Sequence, residues 1–282
     1  MSDRTGRNDI FTSHPMEQGI QVRNVMKDDF GWEVPVECVP IPSEGLVYPQ
    51  DSTLHLKKTV DIKAMTAKEE DILMSRALIQ KGEAINKLIQ SCLIDKSVDV
   101  NNMLVGDRNA LMVSVRITGY GTGYRATVEC PECNESNKDT FDLSQLEIKR
   151  LDVQPVVPGE NVFEYKLPIT KKTVRFKFMT GADERKRNLA EERRKKMFPG
   201  ASDAEVTSVL DTLILSIEGI TDRNKIKSFI SNMPALDSKR LRAYIEKHEP
   251  GIDMSTWLTC QSCGADSKVG LPVNTEFFWP RE

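Results

Sequence analysis

Two Cys-x-x-Cys units constrain the fold of this sequence more than any other feature. They are CPEC at residues 130–133 and CQSC at residues 260–263. Two residues between the cysteines allow a tight turn to direct both sulfurs at one ion, as in structural zinc knuckles. Asn134 and Gly264 follow the two units, and both residue types tolerate the left-handed backbone that such a turn needs. Four thiolates complete a closed tetrahedron, so a single structural metal site is predicted. The predicted ligands are Cys130, Cys133, Cys260 and Cys263.

The two cysteine pairs are far apart along the chain. Residues 134–259 lie between them, a separation of 126 residues. In the chain-entropy model, closing a loop of that size costs on the order of 5 kcal/mol. Structural zinc contributes about 10–16 kcal/mol of apparent binding free energy at neutral pH. Zinc can therefore close the loop, and a folded insert whose ends lie close together would lower the cost further.

Other chemistries also use cysteines in pairs. A thioredoxin-like redox site needs one such pair near a βαβ pattern, and neither pair has that context. Iron also accepts four thiolates, so the spacing does not distinguish zinc from iron. Six cysteines among 282 residues are too few for a disulfide scaffold. The other two, Cys38 and Cys92, have no partner at ligand spacing and are expected to be packing residues.

Length and charge are typical of an ordinary globular protein. A chain of 282 residues suggests about two domains, or one domain with a large insertion. The 39 Lys and Arg residues against 42 Asp and Glu give a net charge of −3, which disfavours nucleic acid or an anionic membrane as a partner. The sequence has neither a signal peptide nor an apolar run of about 18 residues. We expect a soluble, unsecreted protein without a membrane segment.

Both ends of the chain are expected to be extended. Residues 1–31 are polar and show no apolar periodicity. Four prolines between residues 34 and 49 favour a segment that lies along another surface, although a plain linker is the alternative. We predict that residues 1–50 and an aromatic cluster near the C-terminus dock on a partner protein. That cluster consists of Phe277, Phe278 and Trp279. Alternatively, the cluster packs on the protein's own knuckle.

Helices and short strands are predicted around the first cysteine pair. Thr66 and Glu69 have the spacing of a capping box, and the apolar periodicity that follows predicts one helix over residues 66–93. A second helix is predicted over residues 107–116, and a short strand over 127–130.

The segment between the cysteine pairs is predicted to contain a hairpin followed by a helical unit. Residues 162–166 and 173–178 alternate apolar and polar side chains, as hairpin strands do. Helical patterns then extend over residues 180–248, with an apolar stripe from 206 to 217. Leu213 lies in the centre of this stripe and should be buried.

The sequence gives little evidence for catalytic or nucleic-acid-binding residues. The three histidines, His14, His55 and His248, are isolated and have no ligand or triad spacing. Residues 182–196 contain seven basic and four acidic side chains without interleaved aromatics, which favours a solvated helix over a nucleic-acid surface. The sequence therefore predicts no enzyme.

These patterns predict an α+β fold with zinc-knuckle or ribbon-like β elements, a helical insertion and an extended N-terminal arm. The expected boundaries are residues 1–50 for the arm, 51–150 for helices plus the first knuckle, 151–180 for a β-hairpin, 181–250 for the helical insertion, and 251–282 for the second knuckle and aromatic tail.

Several segments, in this order, resemble the T4-type bacteriophage baseplate protein family of hub or hub-assembly subunits. The main ones are MTAKEEDILMSRALIQKGEAINKLIQSCL at 65–93, LVGDRNALMVSVRITGYG at 104–121 and CPEC at 130–133. IPSEGLVYP, LPITKKTVRFKFMTGADE, CQSCG and FFWP are also similar. The resemblance covers roughly residues 40–282.

The resemblance implies a non-enzymatic component of a contractile phage tail baseplate, either built into the hub or helping to assemble it. Its partners would be other hub and tail proteins, and oligomerisation is compatible with that role. It would be found in the virion tail baseplate, and in the host cytoplasm during assembly. Two alternatives stay open: a chaperone absent from the mature virion, and a zinc-ribbon protein that binds nucleic acid.

Overall fold

The computed structural model describes residues 34–198, 205–273 and 275–278. Helices and short antiparallel strands alternate along these residues, which confirms the predicted α+β class. The strands form two-stranded ribbons and one three-stranded sheet. Because a two-stranded ribbon is marginally stable alone, each ribbon depends on the helices and loops that pack against it.

The N-terminal part combines one ribbon with three short helices. Its elements are β1 (Val36–Pro40), β2 (Thr59–Lys63), α1 (Ala67–Met74), α2 (Arg76–Gln80) and α3 (Ala84–Cys92). The capping box predicted at Thr66 and Glu69 is present. The prediction of one continuous helix to Leu93 is wrong, because Ser75 has an extended backbone (ψ 102°) and Gly82 has a φ of 65°. Neither conformation continues an α-helix.

Helix α4 (Val105–Tyr120) lies at the centre of the molecule. It extends beyond the predicted 107–116 at both ends and contacts elements from all parts of the chain. Asp107 is fully buried in its first turn and accepts hydrogen bonds from Ser43 N (2.9 Å), Ser43 Oγ (2.6 Å) and Tyr48 OH (2.6 Å). Burial raises the pKa of the Asp107 carboxyl above its usual value. This polar contact fixes the N-terminal segment to the central helix.

The arm prediction is therefore corrected for residues 34–48. Strand β1 pairs with β2 within the same chain, and the segment after it contributes buried side chains to the core. The buried members are Val39, Ile41, Val47 and Tyr48. This segment packs on its own chain and is not an extended arm. Cys38, expected to be a packing residue, is exposed on β1, whereas Cys92 is buried as expected. Residues 1–33 of the predicted arm lie outside the described residues.

A long insertion separates the two cysteine pairs. Its strands are β6 (Phe163–Lys166), β7 (Thr173–Phe176) and β8 (Ile214–Ile217), and its helices are α5 (Gly181–Met197), α6 (Glu205–Leu213), α7 (Arg223–Ser231) and α8 (Ala235–His248). The predicted hairpin is present as the β6–β7 pair. The helical stripe predicted over residues 206–217 is wrong from Ile214 onward, because this segment adds a third strand beside β7. β-branched Ile214 and Ile217 suit that position, and both are buried.

The two ends of the insertion lie side by side. Strand β5 (Ile148–Lys149) pairs antiparallel with β9 (Gly251–Ile252). Helix α4 packs so closely on β9 that a Cβ atom on Gly106 would lie 1.7 Å from the carbonyl oxygen of Pro250. Only glycine allows this approach without displacing the backbone.

Two further hairpins carry the cysteines. The first consists of β3 (Gly123–Glu129) and β4 (Ser136–Asp142), and the second of β10 (Ser255–Thr259) and β11 (Asp266–Gly270). A short helix, α9 (Thr275–Phe278), follows the second hairpin and contacts β3 and α4.

Leu213→Ala is expected to lower the free energy of unfolding by about 2–5 kcal/mol, because it leaves a cavity in the core of the insertion. The Leu213 side chain is 5% exposed at the end of α6. Val206→Ala on the same helix is the matched control, since Val206 is 41% exposed and its truncation should change stability by less than about 0.5 kcal/mol. Urea denaturation of both variants measures the difference, and equal effects would contradict the buried position of Leu213.

Candidate metal centre

The two cysteine-bearing turns have the same backbone geometry. In the first, Cys130 N donates to Glu135 O (2.9 Å) and Asn134 N donates to Cys130 O (2.8 Å). In the second, Cys260 N donates to the carbonyl of Ala265 and Gly264 N to that of Cys260, both at 2.9 Å. Asn134 and Gly264 have φ values of 58° and 73°, in the left-handed region. Each Cys-x-x-Cys unit is therefore a knuckle at the tip of a hairpin.

The four sulfur atoms converge between these hairpin tips. Sγ of Cys130 lies 3.8 Å from Sγ of Cys263, and Sγ of Cys133 lies 3.6 Å from Sγ of Cys260. All four atoms lie within 4.8 Å of one another. A regular tetrahedron with Zn–S bonds of about 2.3 Å has sulfurs about 3.8 Å apart. The four predicted ligands thus fit one tetrahedral metal ion.

Asn137 connects the two knuckles and was not predicted from the sequence. Its side chain is buried on β4, where Oδ1 accepts a hydrogen bond from Gln261 N (2.9 Å). Its Nδ2 donates to Glu135 O (2.9 Å) and lies 3.5 Å from Sγ of Cys260. This amide holds the first turn against the second. Asn137 and Phe141 are four residues apart on β4, so their side chains point to the same, buried face of the strand. This spacing is the only indication in the sequence that Asn137 is buried, and it is weak.

The ionisation of the cysteines is unequal. Hydrogen bonds from the backbone N–H groups of Cys263 and Ser262 lower the pKa of Cys260 to about 6. The backbone N–H of Glu135 favours the Cys133 thiolate, but desolvation and then the three neighbouring sulfurs raise the pKa of Cys133 to about 12. One thiolate therefore opposes ionisation of its neighbours, as close like charges do. A divalent cation among them would reverse this effect and favour four thiolates.

The C-terminal aromatic residues Phe277 and Phe278 are buried in the core beside the first hairpin. Phe277 packs edge-to-face on Tyr124 of β3, with ring centroids 5.1 Å apart. The Phe277 carbonyl accepts a short hydrogen bond from Nε of buried Arg116. Phe277 is 0% and Phe278 is 3% exposed, so the prediction that these two rings form a docking surface is wrong. They complete the protein's own core, and Trp279 lies outside the described residues.

The remaining candidate ligands do not join the cysteines. Nδ1 of His55 lies 2.6 Å from Tyr48 O, and Nδ1 of His248 lies 2.6 Å from Asp152 Oδ1. His14 lies outside the described residues. Among the residues that are described, the four cysteines form the one group of three or more His, Cys, Asp or Glu side chains with metal-binding proximity.

In the described part of the chain, every helix is too short or too polar to cross a lipid bilayer.

A family model described as T4 bacteriophage base plate protein matches residues 48–279. Searches among curated proteins and solved structures find no significant match. The matched range contains both knuckles and the whole insertion.

Purified protein is expected to contain about one equivalent of zinc or iron per chain, bound by the four sulfurs. Cys260→Ser should lower both the metal content and the melting temperature, because it removes one ligand. Cys38→Ser is the matched control, since this exposed cysteine lies outside the cluster and its replacement should change neither property. Elemental analysis and thermal melting measure both effects. Less than about half an equivalent of metal in the parent protein would contradict the site.

Proposed function

The chain belongs to the T4 bacteriophage base plate protein family, and we propose that it is a structural or assembly component of the baseplate hub in a contractile phage tail. Family membership suggests a structural phage tail component with other baseplate proteins as partners and the virion tail baseplate as its location. It also suggests a non-enzymatic role. We also propose that the protein lies in the hub of the baseplate and that it is present in the host cytoplasm during assembly.

The extent of the family match carries this proposal. A match restricted to residues 123–142 and 255–270 would indicate only a ribbon module, which occurs in proteins of many functions. The match instead runs over residues 48–279 and includes the central helix and the insertion. The family relationship therefore applies to the described fold as a whole.

We further propose zinc as the ion held by the four cysteines. Four sulfurs close the coordination shell and leave no position for a reacting water, so the site would stabilise the fold rather than catalyse a reaction. Iron would fit the same four thiolates, and elemental analysis distinguishes the two metals. Each Cys→Ser change would then reduce stability without removing a defined activity.

The protein is expected to be present in purified phage particles at a constant ratio to other baseplate proteins, because a hub component stays in the tail after assembly. Quantitative mass spectrometry of purified particles beside the infected-cell lysate measures this ratio. Presence in the lysate with absence from particles would instead support the second candidate, an assembly chaperone. The same ratio gives the copy number per baseplate relative to a baseplate protein of known copy number.

Binding to nucleic acid is the weaker alternative, and helix α5 is where it would be expected. Several basic side chains of α5 are paired with carboxylates: Nη2 of Arg194 lies 2.7 Å from Glu191 and Nη2 of Arg185 lies 2.6 Å from Glu83. These acidic neighbours reduce the positive field of the helix.

Charge reversal of Arg193 and Arg194 is expected to leave any DNA affinity unchanged. Nitrocellulose filter binding across a salt series measures this, since phosphate contacts give affinity a steep dependence on salt. A salt-dependent loss of binding in the Arg193→Glu/Arg194→Glu variant would favour the nucleic-acid-binding function instead.

A further inference from the structure

A groove of about 710 Å³ lies between α1, α2 and α3, and its lining contains none of the four knuckle cysteines. Its apolar floor includes half-buried Ile72, Leu78 and Ile94. Its rim carries four lysines: Lys63, Lys68, Lys87 and Lys96. An apolar floor with a basic rim suits a segment that carries both apolar anchors and carboxylates.

The charges of this groove are only partly balanced within the described chain. Glu69 is the carboxylate that lines it, and Nζ of Lys63 lies 2.8 Å from Glu69 Oε1. Lys96 donates to the backbone carbonyls of Gln90 and Ser91, at 3.2 Å and 2.7 Å. Lys68 and Lys87 are both exposed. Among the described residues, no carboxylate lies within ion-pair distance of either lysine. The groove is therefore a positively charged surface with two lysines available for an acidic partner.

The described chain begins beside this groove. Val36 at the start of β1 lies opposite Lys63 in the β1–β2 register, and Ala64 N donates to Pro35 O at 3.0 Å. The sequence immediately before Val34 is DDFGWE, residues 28–33. These six residues supply three carboxylates and two aromatic rings, which is the chemistry that the groove fits.

We propose that residues 28–33 dock in the groove between α1 and α3 of their own chain. Phe30 and Trp32 would lie on the apolar floor, and Asp28 and Asp29 would pair with Lys68 and Lys87. Six extended residues span about 20 Å, which exceeds the roughly 12 Å length of the eight-residue helix α1, so the segment is long enough.

The covalent connection favours this occupant over a separate acidic protein. A segment joined to β1 by a few residues has an effective concentration in the millimolar range, so weak contacts are sufficient to keep it bound. Aromatic anchors supply most of the energy of such contacts, and exposed ion pairs contribute less. Docking would also cover apolar surface near β2 and α3. This inference stands independently of the proposed baseplate function.

The test is limited chymotrypsin digestion of the full-length protein, with the cleavage rates after Phe30 and Trp32 followed by mass spectrometry. The Lys68→Glu/Lys87→Glu variant is expected to be cleaved about tenfold faster at these two sites, the ratio for a loss of about 1.4 kcal/mol of docking free energy. Adding Asp28→Lys/Asp29→Lys to that variant should restore slow cleavage. Cleavage of an added unstructured peptide that contains one Phe is the reference for protease activity, and its rate should not change.

The control variant is Lys239→Glu/Lys247→Glu, which makes the same charge change at exposed positions on α8 and should leave the cleavage rates unchanged. Equal rates in the parent and the groove variant, or no restoration by the charge swap, would overturn the proposal.

A second variant keeps the test independent of changes within the groove. Phe30→Ala/Trp32→Ala alters none of the residues that line it, and it should increase hydrogen exchange in the peptides that contain Ile72 and Leu78. Unchanged exchange would overturn the proposal. Light scattering measures the oligomeric state of the parent protein and of this variant. A parent protein that forms a concentration-dependent dimer, together with a monomeric variant, would show that the segment docks on a second copy of the chain. That result would also overturn the proposal.

Discussion

The closure of the long internal insertion is the constraint on which the rest of this structure depends. The four cysteines can approach within 4.8 Å only if the chain that separates them returns to its starting point. The β5–β9 pair provides that return, and Gly106 allows the central helix to contact the returning strand at the Pro250 carbonyl. The loop entropy, on the order of 5 kcal/mol, is thus shared between backbone packing and the cysteine cluster.

Buried polar side chains connect the remaining distant segments, and most of them bond to backbone groups. Asp107 binds the N-terminal segment, and Asp237 accepts hydrogen bonds from Ile169 N (2.7 Å) and Thr170 N (3.0 Å) at the β6–β7 turn. Arg116 donates to the carbonyls of Gly121 and Gly123 at 2.8 Å and 2.9 Å. A hydrogen bond to a charged group contributes about 1.5–3 kcal/mol, and removing one partner leaves a buried charge unsatisfied. These contacts therefore specify which segments meet.

The features that were predictable from the sequence are those encoded by neighbouring residues. The knuckles follow from local spacing, and the capping box at Thr66 and the β6–β7 hairpin follow from short patterns. The errors arise where a distant partner decides the outcome. Ile214 begins a strand because β7 offers an open edge, and Phe277 is buried because β3 and α4 provide a site for it. Asn137 gives almost no local signal, since its partner Gln261 lies 124 residues away.

The position of Arg116 and the first knuckle in the chain has a consequence for synthesis on the ribosome. Arg116 can reach its acceptor on Phe277 only after 161 further residues have been made, and Cys130 can reach Cys263 only after 133 further residues. At about 5–20 residues per second, translation of the intervening segment takes roughly 7 to 30 seconds. During that interval Arg116 lacks its acceptor on Phe277, and the first knuckle lacks the two cysteines of the second. The part of the core around Arg116 and the first knuckle therefore closes only after the second knuckle and Phe277 have been synthesised.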